Sequence, residues 1–550
     1  MPRRGMVCLM RPRLLVPCCL CLALTAAGQA PPGFKTYENK LARLTFFYPV
    51  AYQEIPLPPT EQVVVAKYLV QQRPEELKRV DDRLYEALTP AIEVFLFEIP
   101  TPTTGAAAAD KGPSEPATVR EAMEARSRVT SWSEFTQRFA RWNLEELEKK
   151  PGHFELAWKE KWRGEAAPIG YLIRKQEGNS VFGVYGYTLS PHKRTFEGHL
   201  AKIASGLALA DGDTGETAEA AIDKLYASGK YRAVPWRKKA RSELAKGWKA
   251  VDTDNFLIVH HSKNLALVNQ IAREIEAMRA LYAELFPAVN KVDSVSVVRI
   301  CRTKDEYHQY GGPPNTGGYW HPGNEELVFY DYSYTMKTLD RDERRALGDR
   351  VLTDEDSLLV LYHEALHQYM HYAIGEFSPH DWFNEGYGDY FSGAVLADTT
   401  SRVLRIDPSP WRIHLAKDMC EYGEGFVPLD KLLKAERAEF YNPARARHYY
   451  AAAWSFVFFL KNAKEVAGNP QWSKLLQVYF DTVKSAYRTE IDKAGAAPDL
   501  AGKQVAGFQA RKVALAKATE GIDLAQLEAA WRKWVVDMKD PWPSQRKKRK

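Results

Sequence analysis

The chain is expected to fold as α+β, and three observations predict this. Short runs rich in branched and aromatic residues occupy the first third, at 44–48, 63–70, 92–97, 154–162 and 182–188. Two more strand-like runs, 255–259 and 295–300, flank an amphipathic stretch at 271–286. From 354 onward apolar residues recur at helical spacing, through 450–460, 475–480 and 524–536. Strands first and helices later imply a curved-sheet α+β domain, followed by a unit with a small β-sheet subdomain and a mainly helical subdomain. At 550 residues, with 45% hydrophobic and 12% aromatic content, the chain can build two or three cores and is not disordered.

Residues 1–30 read as a secretory signal. Arg3, Arg4, Arg11 and Arg13 precede an apolar stretch at 14–24, and small residues follow at Ala26, Ala27, Gly28 and Ala30. Cleavage is expected after Ala27 or Ala30, and the stretch, interrupted by Pro17, is too short to span a bilayer. The product is therefore expected to be exported, to a periplasmic, extracellular or envelope location, with no transmembrane segment. Cys8, Cys18, Cys19 and Cys21 leave with the signal, so only Cys301 and Cys420 remain, either as one disulfide or as buried thiols.

Residues 31–210 form the expected N-terminal α+β domain, with an exposed Pro/Ala/Gly-rich loop at 101–118 and a closing helix that ends near Ala208. Its pattern is similar to that of PsbP-like folds, which implies no activity. A polar boundary at 211–216 opens a helical linker at 211–249, whose helical run is expected over 218–249. The β/α subdomain, 250–345, includes a hairpin at 318–330 turning on Pro322-Gly323-Asn324. The helical subdomain covers 346–540, and 541–550 is a basic, disordered tail.

Net charge is +6, but the signal holds +4 and residues 546–550 hold +5, leaving −3 for the rest. No basic face remains for nucleic acid, and the tail offers at most a weak contact with an anionic envelope surface. There is no phosphate-binding loop, serine elbow or dinucleotide fingerprint.

The informative segment is Tyr362-His363-Glu364-Ala365-Leu366-His367, followed by Trp382-Phe383-Asn384-Glu385-Gly386. Residues four apart share a helix face, so His363 and His367 can aim two imidazoles at one ion, while Glu364 stands beside it as a general base for an activated water. The helical context is present: Thr353 to Asp356 supply a cap, and Gly375 supplies a stop. His371 continues the row, but eight residues span about 12 Å, too far to share a metal with His363. We read His371 as structural. A hydrolytic zinc needs a third protein ligand and an open fourth position. Glu385, on a second helix starting near Asp381, is the expected third ligand. Asp389, one turn on, is the expected outer partner of a histidine. Gly386 and Gly388 weaken that helix and are expected to allow close approach to the first one.

These residues resemble the gluzincin zinc metallopeptidases, in which HExxH on one helix is joined by a glutamate in an Asn-Glu-x-x-x-Asp pattern on the next. Here the pattern is Asn384-Glu385-Gly386-Tyr387-Gly388-Asp389. The resemblance implies His363, His367 and Glu385 as ligands of one Zn2+ ion, Glu364 as base, and Asp389 and Asn384 as supporting residues. The helix opening at Tyr450 is similar to the one whose tyrosine steadies the oxyanion, although Ala452-Ala453 stands where many relatives have Lys-Gly. Tyr450 is the expected donor, with Tyr449 and His448 as alternatives. The closer resemblance, over 255–538, is to peptidase-MA-like domains of secreted bacterial proteins without a defined substrate. The hairpin at 318–330 would supply the edge strand that pairs with an extended peptide. No Gly-x-Met-x-Asn segment holds a substrate amine, which disfavours an aminopeptidase.

The expected function is thus an exported zinc metallopeptidase acting on peptide or protein substrates. A binding protein with a structural metal site, and a hydrolase of non-peptide amides or esters, are the alternatives.

Overall fold

The computed structural model describes residues 30–39, 44–70, 90–100, 118–162, 166–209, 222–314, 316–339, 341–347, 351–397, 402–495 and 498–542. The signal, most of the 101–118 loop, the 211–216 boundary and the basic tail lie outside the described residues.

The fold is α+β. In the N-terminal unit, seven antiparallel strands are ordered β3(Tyr52–Ile55), β4(Val64–Val70), β5(Ala91–Glu98), β9(Ser180–Leu189), β8(Pro168–Glu177), β7(His153–Trp158) and β6(Trp142–Glu146). A smaller sheet pairs β1(Phe34–Asn39), β2(Leu44–Pro49) and β10(Ala208–Leu209). The helix Lys193–Gly206 lies against β2, β8 and β9, and its buried face (Phe196, Leu200, Ile203) joins Phe46, Tyr68 and Val184 in one core. A second core, on Phe95, Phe135, Phe154 and Leu172, involves the other face of the large sheet. β1, β3, β6, β8 and the two-residue β10 are additions to the strands read from sequence, and the strand expected at 154–162 ends at Trp158.

The expected helical run at 218–249 is corrected. Gly229 (φ +66) and Ala233 (φ 52) take left-handed backbone, Pro235 opens the short helix Val234–Ser242, and β11(Lys249–Asp252) follows. Left-handed residues cannot continue a right-handed helix.

The second sheet has the order β11, β12(Phe256–His260), β13(Ser296–Cys301), β15(Glu326–Tyr330), β14(Gly318–His321). β12, β13 and β15 are parallel and buried along their whole length, as expected for strands covered on both faces. β11 and β14 close the edges antiparallel. The helix Leu265–Leu285 buries Leu267, Ile271, Ile275, Met278 and Tyr282, a stripe at spacings of three and four.

On this layer packs the helix Asp354–Ile374, the motif helix. A Thr353–Asp356 capping box starts it and Gly375 (φ +118) stops it. It touches the Leu265–Leu285 helix and β14 and β15 on one side, and the helix Asp381–Phe391, the glutamate helix, on the other. The glutamate helix is buried along its whole length and is backed by Ala446–Asn462, the tyrosine helix. Helices Leu475–Ala494, Leu500–Ala518 and Leu524–Asp537 complete one continuous core. Burial of residues such as Leu361, Leu366 and Phe383 contributes about 1.5–3 kcal/mol each.

The two units touch at the hairpin turn. Thr60 Oγ1 donates to Asn324 Oδ1 at 2.9 Å, and Arg120, from the helix Val119–Ser127, reaches Glu325 at 2.9 Å. Among the described residues, no helix is long and apolar enough to cross a membrane.

Candidate metal centre

The motif and glutamate helices lie close enough for short contacts. Ser392 Oγ donates to the Leu359 carbonyl at 2.9 Å, and a Cβ on Gly388 would stand 2.7 Å from the His363 ring. Gly388 is therefore the residue that admits the histidine, as expected. Gly386 faces the other way: its added Cβ would meet the Ala453 carbonyl at 2.8 Å and Val457 at 2.7 Å on the tyrosine helix. The expectation that both glycines face the motif helix is corrected, since adjacent even positions of a helix are about 200° apart.

This packing brings together His363, His367 and Glu385, whose ligand atoms lie within 4.8 Å of one another. Glu385 Oε2 is 3.0 Å from His363 Nε2 and 3.4 Å from His367 Nε2. His363 Nδ1 stands 3.3 Å from Asp389 Oδ1, a distance that suits an N–H donated to that carboxylate, and Nε2 is the ring nitrogen that faces Glu385. Two imidazole nitrogens and a carboxylate oxygen at such distances call for a positive charge among them, either a proton on a ring nitrogen or a metal ion. A tetrahedral ion with bonds of about 2.0 to 2.1 Å spaces its donors about 3.4 Å apart, and the two separations from Glu385, 3.0 and 3.4 Å, are close to that. The three residues could hold a metal ion.

The electrostatics agree. Burial opposes charge on His363, but Asp389 and Glu385 raise its pKa well above the usual value; the same carboxylate field attracts a divalent cation. Burial would raise Glu385, yet His367 and His363 hold it well below the usual carboxylate range. Burial would likewise raise Asp389, but Arg412 and His363 keep it low, with Arg412 Nε donating to Oδ2 at 2.6 Å.

Glu364 is 8% exposed and outside the trio of donors. Burial pushes its carboxyl up, and it accepts the backbone N–H of Trp320 from edge strand β14. Tyr450 lies half-buried with its ring beneath Arg412, 4.7 Å away. Burial and the nearby Glu385 push its phenol well above the usual range, so it stays a hydroxyl donor. The alternatives point elsewhere: the Tyr449 hydroxyl donates to Glu439, and His448 packs against Gly425. His371 is not brought into the trio. Asn384 is buried with its Oδ1 accepting no hydrogen bond, so that atom does not support the trio.

No family model matches the chain, and no curated protein matches it. Among solved structures, it is similar to the solution structure of cyanobacterial PsbP (CyanoP) from Synechocystis sp. PCC 6803. That match has 12% identity, a TM-score of 0.19, and covers 33% of this chain and 95% of that one. A likeness of that size carries no chemistry to this chain.

Two residues of the site were not read from sequence. Tyr441 donates its hydroxyl to Glu385 Oε1 and also reaches Asp381, while Arg412 braces Asp389. Both arrive from segments without a repeating pattern, and no spacing signal marks them.

Proposed function

We propose that this chain is an exported zinc-dependent hydrolase of the gluzincin kind, acting on peptide bonds. The observation that carries this reading is a buried set of three donors, His363, His367 and Glu385, with no fourth His, Cys, Asp or Glu joining it among the described residues. Structural zinc sites are normally closed by four protein ligands, whereas hydrolytic ones keep a corner open. When bound, zinc would polarise a carbonyl and acidify a water.

The chain's own residues supply the rest. Glu364, its carboxyl raised by burial, takes the proton of the attacking water and later passes it to the leaving amine. Tyr450, held protonated, donates to the oxygen on which negative charge develops. Asp389 and Arg412 fix the tautomer and tilt of His363. Edge strand β14 offers its outer side to an extended peptide next to Glu364.

The test is Glu364→Gln. It should lower turnover of casein-like or short-peptide substrates by about 10²–10⁴-fold while leaving one bound zinc per chain. Full activity in that variant, or activity indifferent to a chelator, overturns the reading.

A further inference from the structure

The two carboxylate oxygens of Glu385 face different partners. Oε2 is turned to the trio, 3.0 Å from His363 Nε2 and 3.4 Å from His367 Nε2. Oε1 accepts the hydroxyl of Tyr441. The difference has a chemical consequence, because carboxylates bind metal ions through one oxygen or through both. A glutamate that gave both would fill a position that a hydrolytic site keeps open for water.

Tyr441 is held so that its hydroxyl cannot follow a turning carboxylate. Its backbone N–H donates to the Arg437 carbonyl at 3.1 Å, where the short helix Arg437–Phe440 ends. The buried Phe440 ring meets the Tyr441 ring edge-on with centroids 5.2 Å apart, and the Arg437 guanidinium lies over it at 4.8 Å. The Tyr450 ring stands 6.1 Å away, so Tyr441 borders both the third candidate ligand and the candidate oxyanion donor. A phenol ionises only near pH of about 10, so at neutral pH the hydroxyl is a donor. Asp381, one turn before Glu385 on the same helix face, offers Oδ1 as a second acceptor at 3.2 Å. The hydroxyl has a single proton, and the shorter contact gives it to Glu385. Bonds from O–H to a carboxylate are among the strong ones, and with Glu385 buried little water competes for Oε1.

We propose that Tyr441 is a positioning residue: by holding Oε1 of Glu385 it confines that residue to a one-oxygen contact with the ion, through Oε2, and so preserves the open corner. The inference rests on the hydrolase reading above and deepens it. An outer hydrogen bond can play either of two roles here, and they differ in sign. A partner that merely props up a ligand strengthens metal binding, and losing such a partner costs about 10–100-fold in affinity. A partner that withholds an oxygen does the reverse. Its loss frees Oε1 for the ion, so affinity holds or rises while the place for water is lost.

The experiment uses the full chain and Tyr441→Phe, which keeps the ring and removes only the hydroxyl. Both proteins are loaded with Co2+, whose visible absorption reports its ligands, and titrated with azide, a small anion that occupies an open corner. The wild type should bind azide saturably, and Tyr441→Phe should bind it about tenfold or more weakly. Zn2+ affinity of the variant, from competition with a chromogenic chelator, should equal or exceed that of the wild type. On peptide substrates the zinc-loaded variant should lose about 10–100-fold in kcat with KM nearly unmoved. A variant that binds azide as the wild type does overturns the proposal, and so does one whose Zn2+ affinity falls, since Tyr441 would then only prop Glu385. A wild type whose cobalt spectrum ignores azide has no open corner and overturns both readings. A wild type that binds azide and cleaves no peptide overturns the hydrolase reading alone, and the azide and Zn2+ titrations still decide the role of Tyr441.

Discussion

Asp389 is fully buried between His363 and Arg412, so its charge is shared by a candidate ligand and a brace. Asp389→Ala should lower metal affinity by about 10–100-fold, measured by competition with a chromogenic chelator. Unchanged affinity would show that the carboxylate serves Arg412 alone. Tyr450→Phe should reduce kcat by about 10²–10³-fold and leave KM nearly unmoved, since the lost bond forms only as charge develops. His380 offers a test by pH. Its Nδ1 accepts from the Tyr479 hydroxyl at 2.8 Å, and burial pushes its pKa down to about 3. With a folded pKa below the unfolded one, the stability it contributes is present above about pH 6.5 and lost as pH falls. Asp381, raised to about 6 by burial, titrates in the opposite sense over the same window, so the whole curve hides both. The difference between wild type and His380→Gln isolates the histidine. Between pH 7 and 4 the wild type should lose roughly 3 kcal/mol relative to the variant in denaturant melts. The residues legible in the sequence are those that helical spacing relates, from His363 to Asp389. Tyr441 was not legible, because it meets Glu385 across a separation of 56 residues with no period to announce it.

At the scale of elements, the candidate metal centre depends on three helices with small residues at their crossings. Gly386→Ala would press a methyl into the Ala453 carbonyl, and overpacking of this kind costs about 1–3 kcal/mol. Its melting temperature should fall while metal affinity in the folded state stays close to wild type. Gly388→Ala presses instead on the His363 ring, so affinity should fall more than stability does. If the two variants behave alike, the division of labour between the glycines is wrong. Both glycines were visible in the sequence, but which neighbour each admits depends on the tyrosine helix, whose packing no local pattern records. The bounds of the motif helix were legible because Thr353, Asp356 and Gly375 are caps with their own chemistry. β3 and β8 were harder to see, since glycine, polar and charged residues interrupt their apolar pattern.

Across the whole molecule, the cores of the N-terminal unit are separate from the one beneath the candidate metal centre. Calorimetry should resolve two transitions, and a chelator should move only one. Metal at a hundred times its Kd stabilises by about 2.7 kcal/mol, so that transition should fall by roughly 5–10 °C. A single transition, or a chelator shift in both, would show the units to be one cooperative body. The sequence divided the chain into these units from composition, but it held no sign that Thr60 and Arg120 grip the hairpin turn of the other unit.

Cys301, at the end of a central strand, and Cys420, on the helix Ile413–Tyr422, are both buried and unpaired. Burial keeps the first thiol far from ionising and pushes the second up to about 12, so neither is a nucleophile while its surroundings stay closed. Each sulfur is thus a timer. The rate at which a thiol reagent consumes it counts how often sheet or helix parts from its neighbours, a native-state record of breathing that needs no introduced label.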